Sequence, residues 1–301
     1  MSSSNLSLPI IDVLAETDFT DEQMFSVSSF TGPIEFSAHF VPRPQISHVV
    51  FDFDGTLSWL RHGWPEIMAK LFREHIKPVA GESESQLHQL LLEEILSLNG
   101  RPSIYQMERC VQLARERGGA APAPEQLLTE YQRRLDEKIQ QRTDMILTGE
   151  VPCEQFVVYG ARALLDLLDE RGMQLFILSG TIEHRVRTET ALLDLTRYFR
   201  GHIYGSGSQP AQFSKQATLE RLLSKEKITP VQLLSFGDGP VEIELTKQIG
   251  GMAVGVASDE EHNGSGRMDA LKRRQLFQAG ADVLIADYRD ANALVECLIG
   301  K

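Results

Sequence analysis

The sequence predicts an α/β fold: a parallel sheet covered by helices on both faces, with an α-helical block inserted after its first strand. Three observations carry this. From about residue 153 to the end of the chain, short β-rich segments alternate with helical stretches, as in sheets buried on both faces. A lone buried-strand signal, His48-Val-Val-Phe-Asp-Phe53, stands far upstream of that alternation. Between the two, residues 64–142 read as almost pure helix.

Taken in order, the first eight residues are Ser-rich and are expected to be mobile. Phenylalanines at 19, 25, 30, 36 and 40 are too apolar for a free tail and predict an extended or hairpin-like arm packed on the main domain. Pro42 and Pro44 punctuate its end. In the inserted block, Ile67, Met68, Leu71 and Phe72 have helical spacing, as do Leu87, Leu90, Leu91 and Ile95 before the stop signal Asn99-Gly100. A third helix is predicted over Pro102–Arg115 and a fourth over Pro124–Arg142, joined by the Gly- and Pro-rich linker 118–124. The alternation then runs helix Ala161–Glu170, strand Gln174–Leu178, helix Ile182–Leu195, strand His202–Tyr204, helix Gln216–Leu223 and strand Gln232–Phe236. It ends with helix Val241–Ile249, strand Met252–Val256, helix Met268–Ala279, strand Asp282–Ile285 and helix Ala291–Leu298. The expected division is an arm at 1–47, a core built from 48–60 and 152–301, and a helical cap at 61–151.

Composition narrows the function. Among 301 residues, 42 Asp and Glu against 30 Lys and Arg give a formal net charge of −12. An acidic surface argues against a nucleic-acid partner, which needs basic groups to meet phosphates. No apolar run approaches the roughly 20 residues that cross a bilayer, and the N-terminal stretch lacks the pattern of a secretory signal. The 3 cysteines, Cys110, Cys153 and Cys297, have no metal-ligand spacing and an odd count, so a reducing, cytoplasmic setting is expected.

Ligands of open parallel sheets bind at the carboxyl ends of the strands. There the first strand delivers Asp52 and Asp54, and the second Ser179-Gly180-Thr181, read as a helix start. Lys215 follows the third, and the fourth delivers Gly237-Asp238-Gly-Pro240 with Glu242 in the next helical turn. Carboxylates crowded together raise one another's pKa values unless a cation sits among them. A hard divalent ion, Mg²⁺, is the matching solution. A carboxylate kept ionised in this way can attack phosphorus, while Lys215, the Ser179 hydroxyl and the N–H groups of Gly180 and Thr181 meet the phosphoryl oxygens. A second carboxylic acid can protonate the leaving oxygen and then activate water. Taken singly, each feature has a plainer explanation: a turn after a strand, a Pro-started helix, a surface lysine, an N-cap serine. Their arrival in order at successive strand ends is what those explanations leave out.

Phe51-Asp-Phe-Asp-Gly-Thr56, Ile177-Leu-Ser-Gly-Thr181, Lys215 and Phe236-Gly-Asp-Gly-Pro-Val-Glu242 resemble, in order, motifs I to IV of the haloacid dehalogenase (HAD) superfamily. The resemblance covers roughly 48–60 and 152–301. It implies a Rossmann-like, HAD-like parallel sheet core with an inserted α-helical cap domain similar to the family's C1 cap. It further implies Asp52 as nucleophile, Asp54 as general acid/base, Lys215 as bridge between Asp52 and the phosphoryl group, and Ser179 as its holder. Mg²⁺ would be held by Asp52, Asp54 and Asp238, with Glu242 acting directly or through a metal-bound water. An Asp at position 54 is what family phosphatases and phosphomutases carry. The expected activity is a Mg²⁺-dependent phosphomonoester hydrolase acting on a small phosphorylated metabolite, a sugar phosphate by family analogy. A phosphomutase and a catalytically silent binding protein are the alternatives, and a monomer or homodimer without a membrane partner is expected.

Weaker features complete the reading. Arg61 and His62 are candidates to touch the leaving group, weighed against a solvated hinge. Arg101, Tyr105 and Gln106 begin a cap helix and are read first as capping and packing. Cys110 and Cys297 are read as core. Lys272-Arg-Arg274 is read as a solvated helix face. The segment 257–267 is longer than the loops around it and is read as a surface excursion before a pocket wall. Asn263-Gly-Ser265 is a glycosylation sequon without consequence in a cytoplasmic protein.

Overall fold

The computed structural model describes residues 26–29, 33–99, 101–207 and 213–300. The Ser-rich start and the phenylalanines at 19, 25 and 30 lie outside them. The strands are β1 (Ser26–Ser29), β2 (Pro33–Phe36), β3 (His48–Phe51), β4 (Gln174–Ile182), β5 (Ile203–Ser206), β6 (Leu233–Gly237), β7 (Met252–Val256) and β8 (Val283–Ile285). They form one sheet of eight strands in the order β1-β2-β8-β7-β6-β3-β4-β5.

From β3 to β8 every pairing is parallel, as expected of strands joined through helices. β3 lies at the centre, with Phe51 opposite Ile177 on one side and Phe236 on the other. β3 and β6 therefore end within a residue of each other at the same edge, where β4 runs on to Ile182, and this register brings motif residues from distant sequence together. The Phe51 and Phe236 rings stack at 4.9 Å in the core beneath that edge. The described part of the arm forms the hairpin β1–β2, and β2 adds antiparallel to β8 with Ile34 opposite Ile285. Buried Ile34 and Phe36 hold it down, and the Phe36 and Phe40 rings meet at 4.8 Å.

The inserted helices are α1 (Trp64–Arg73), α2 (Glu84–Ser97), α3 (Ile104–Glu116) and α4 (Pro124–Leu147). They share a hydrophobic cluster separate from the sheet's, with Met68, Leu71, Leu91, Met107, Leu127 and Leu135 at its centre. Ser83 and Gln86 form a capping box at the start of α2. α4 runs five residues beyond the predicted end at Arg142. The extension follows from its return to the core: buried Arg142 donates to the Leu60 carbonyl at 2.7 Å, and Ile146 packs against the sheet's cluster.

The covering helices are α5 (Ala161–Glu170), α6 (Glu183–Leu192), α7 (Thr196–Phe199), α8 (Lys215–Glu226), α9 (Pro240–Ile249), α10 (Ala270–Gln278) and α11 (Ala291–Ile299). Two expectations change here. The helix predicted over 182–195 is shorter: α6 ends at Leu192, and Asp194 takes a left-handed φ of 54° before the separate short helix α7. β4 does not stop at Leu178 but continues to Ile182, with a shift in its register against β5. Among the described residues no helix is long and apolar enough to cross a membrane.

Phe51 is fully buried among aromatic rings. Phe51→Ala is expected to cost about 3–5 kcal/mol in denaturant unfolding. Tyr105→Ala, at an exposed position of α3, should stay within about 0.5 kcal/mol of the parent.

Candidate active site

The site begins where β3 ends. The Asp52 N–H donates to the Phe236 carbonyl at 2.9 Å, extending the ladder by one residue. The chain then folds back so tightly that the N–H groups of Thr56, Leu57 and Ser58 all point at the Phe53 carbonyl. Gly55 sits in this turn with φ +74°, and a Cβ there would overlap the Asp238 carboxylate. Both the left-handed backbone and the close approach call for glycine.

Asp52 faces Lys215, the first residue of α8, whose start is capped by Ser214. Lys215 Nζ lies 3.1 Å from Asp52 Oδ1 and also bonds Glu242 Oε1. All three are largely buried. Burial pushes the Asp52 carboxyl well above the usual carboxylate range; Lys215 opposes this, and the like charges of Glu242, Asp238 and Asp54 add to it. Burial would lower the Lys215 ammonium, but Asp52 and Glu242 outweigh it and hold it above its ordinary value.

At the end of β4, Ser179 is buried and its Oγ accepts the Thr181 N–H at 3.1 Å. The Thr181 hydroxyl donates to Asp54 Oδ2 at 2.8 Å. Gly180 lies beside Lys215, whose Cε would be 3.8 Å from an added Cβ. The segment is therefore where the sequence places it, but as strand rather than helix start: α6 begins only at Glu183. The reason is local, since Ile182 still pairs with Ser206 of β5.

Arg61 is not a solvated hinge residue. It is 7% exposed, with Nε 3.0 Å from Asp54 Oδ1 and its guanidinium bonded to Glu189 of α6. Its charge is spent on two carboxylates, so it is not free for a leaving group. Burial lifts the Glu189 carboxyl to about 7 against the pull of Arg61. His62, half-buried, points toward Glu260 at 4.0 Å. Gln106 is buried and bonds the Ile95 carbonyl, which follows the packing reading, whereas Tyr105 is exposed and does not.

Asp238 follows β6 and is also buried, which raises its carboxyl to about 6 against the opposing charge of Lys272. Lys272 overturns the solvated-face reading of 272–274. It is 4% exposed, 2.9 Å from Asp238 Oδ2 and 2.7 Å from Glu260 Oε1. Its neighbour Arg273 bonds Glu35 of β2 at 2.9 Å. The overlooked signal was spacing: Lys272 stands one helical turn before Leu276, a fully buried core residue on the same face. The 257–267 segment likewise is more than an excursion. Asn263 ties it to the Tyr159 N–H and the Val157 carbonyl at 2.9 and 2.8 Å, and Glu260 reaches Lys272.

Among the described residues, no three Asp, Glu, His or Cys side chains are gathered as one ion-binding group. Lys215, Lys272 and Arg61 hold the carboxylates in separate ion pairs. The donor chemistry still suits a hard divalent ion. Asp52, Asp54, Asp238 and Glu242 offer only oxygen, Glu242 Oε2 is buried without a hydrogen-bond partner, and the raised carboxyls of Asp52 and Asp238 are what a cation would bring down.

A parallel sheet that collects buried carboxylates and a lysine at its carboxyl edge, next to an inserted helical block, has the layout of a HAD-like hydrolase. The model of the haloacid dehalogenase-like hydrolases matches residues 46–250, and the chain belongs to that family. Among curated proteins none matches it. Solved structures with the same fold include a haloacid dehalogenase-like protein of unknown function from Agrobacterium tumefaciens, with TM-score 0.59 and 17% identity, covering 83% of this chain and 97% of that one. A predicted phosphoglycolate phosphatase from Haemophilus somnus has TM-score 0.56 and 16% identity, covering 83% and 98%. A HAD family hydrolase from Deinococcus radiodurans with bound phosphate and sodium has TM-score 0.56 and 15% identity, covering 84% and 96%.

Two outcomes are expected. Gly55→Ala should lower the melting temperature by several degrees, because it adds backbone strain and displaces Asp238. Glu189 has a folded-state carboxyl near 7 against an ordinary 4.5. Its contribution to stability is therefore full below pH 4.5 and lost as pH rises through 7. Stability measured across that window should gain less on acidification in Glu189→Gln than in the parent.

Proposed function

We propose that the protein is a phosphomonoester hydrolase acting through an aspartyl-phosphate on Asp52. The observation that carries this is the buried Lys215 ammonium 3.1 Å from Asp52, with Asp54 two residues on and fixed by Thr181. An Asp52 carboxylate oxygen attacks phosphorus, and the bond to the substrate's ester oxygen breaks. Asp54 gives its proton to that oxygen, so the alcohol leaves neutral. Asp54 then takes a proton from water as the water oxygen attacks the phosphoryl group, releasing inorganic phosphate and restoring Asp52. Lys215 and Ser179 hold the phosphoryl oxygens in place, with the N–H groups of Gly180 and Thr181 beside them. Mg²⁺, held by Asp52, Asp54 and Asp238 with Glu242 beside it, would supply charge neutralisation for the nucleophile and the phosphoryl group.

The substrate class is a small phosphorylated metabolite, a sugar phosphate being the nearest analogue. In support, fold relatives include a predicted phosphoglycolate phosphatase and a hydrolase with bound phosphate. Helices α1 to α4 act in this reading as a C1-type cap spanning 61–151, over a core of 48–60 and 152–301, with the arm at 1–47 outside both. Such a lid excludes water during phosphoryl transfer. The same reading has the enzyme work in the cytoplasm, as monomer or homodimer, with neither nucleic acid nor membrane as partner.

The test is phosphate release from p-nitrophenyl phosphate and a sugar phosphate panel, with Mg²⁺ or with chelator. Release that depends on Mg²⁺ and falls by about a thousandfold or more in Asp52→Asn is the expected result. Release that survives Asp52→Asn, or none from any substrate, would overturn the assignment.

A further inference from the structure

Lys272 is buried on α10, outside the four motifs, yet it reaches the centre of the site. Its Nζ lies 2.9 Å from Asp238 Oδ2 and 2.7 Å from Glu260 Oε1. The Trp59 ring closes one side of it at 5.7 Å. Asp238 Oδ2 is also the oxygen packed against Gly55, in the turn that carries Asp52 and Asp54. The ammonium thus sits on the carboxylate face turned toward the nucleophile's own loop. A divalent ion bound between that loop and Asp238 must draw on the same carboxylate.

Glu260 is well placed to keep the lysine when Asp238 is taken. Its loop is anchored by Asn263 and by Arg289, which donates to the Gly264 carbonyl at 2.9 Å. Glu260 therefore does not depend on Asp238 for its position.

We propose that Lys272 is a built-in counter-ion of the metal-binding carboxylates. It neutralises Asp238 in the cation-free enzyme, yields Asp238 when Mg²⁺ enters, and is retained by Glu260. The Lys272–Glu260 pair then sets how tightly the ion is held. The proposal rests on the phosphatase reading above and makes Lys272 a positioning residue, acting through Asp238.

Two substitutions separate this from a purely structural lysine, because their effects on Mg²⁺ have opposite signs. Lys272→Met removes a positive charge beside the ion and frees Asp238. Glu260→Gln leaves the ammonium with Asp238 as its remaining anion and strengthens that grip. Mg²⁺ binding is read by titration calorimetry, and thermal unfolding is followed with and without Mg²⁺. Lys272→Met is expected to tighten Mg²⁺ about tenfold and Glu260→Gln to weaken it by a similar factor. Lys272→Met should also show the larger rise in melting temperature on adding Mg²⁺. Affinities that are unchanged, or that shift in the same direction in both variants, overturn the proposal and leave the phosphatase reading standing. If Lys272→Met does not fold, Glu260→Gln decides: weaker binding supports the proposal, and equal or tighter binding overturns it. Absence of Mg²⁺ binding in every variant and the parent overturns the functional reading itself, and this inference with it.

Discussion

The structure depends on one electrostatic constraint: carboxylates buried together at a sheet edge repel one another and lose their hydration at the same time. Asp52, Asp54, Asp238 and Glu242 are held at such an edge. Each buried cation nearby answers a particular part of that repulsion. Lys215 joins Asp52 to Glu242, Lys272 joins Asp238 to Glu260, and Arg61 joins Asp54 to Glu189. Removing one partner from such a pair costs far more than the pair contributes, since the other charge is left buried alone. The backbone answers the same constraint, because the turn at Gly55 has no room for a side chain beside Asp238.

The sheet supplies the geometry that this cluster needs. β3 is flanked by β4 and β6 in matched register, so Asp52, Ser179 and Asp238 arrive at the same edge of the sheet. The helical insert leaves from the same edge. Arg142 near the end of α4 bonds the carbonyls of Trp59 and Leu60, tying the insert's exit to its entry. Arg185 of α6 pairs with Asp136 of α4, a second link between the two hydrophobic clusters.

Much of this was legible in the sequence. The alternating strands and helices were evident because each buried strand is short, apolar and bounded by turn residues, as in Met252–Val256. Asp52, Asp54, Ser179, Lys215, Asp238 and Glu242 could be picked out because motif chemistry sits at strand ends. What stayed hidden were partners joined only by tertiary packing. Nothing in the sequence surroundings of Glu189 or Glu260 marks them as the partners of Arg61 and Lys272. Lys272 itself lay in a basic run whose neighbour Arg273 does face a more open surface, so composition spoke for solvent while helical phase spoke for the interior. The end of β4 was misplaced because Ser-Gly-Thr favours turns and caps, whereas pairing with β5 keeps it extended.

The order in which the chain is made bears on how this edge comes together. The central strand, residues 48–51, finds its partners only at 174–177 and 233–236. On the ribosome it must wait, unpaired and rich in valine and phenylalanine, until most of the polypeptide has emerged. The insert faces a shorter delay, because α1 to α4 contact one another within the single segment 64–147. A growing chain can therefore complete the helical block first, as a folded island that separates two halves of an unfinished sheet. The edge that gathers the carboxylates, which needs β3, β4 and β6 together, is therefore among the last features of the molecule to form.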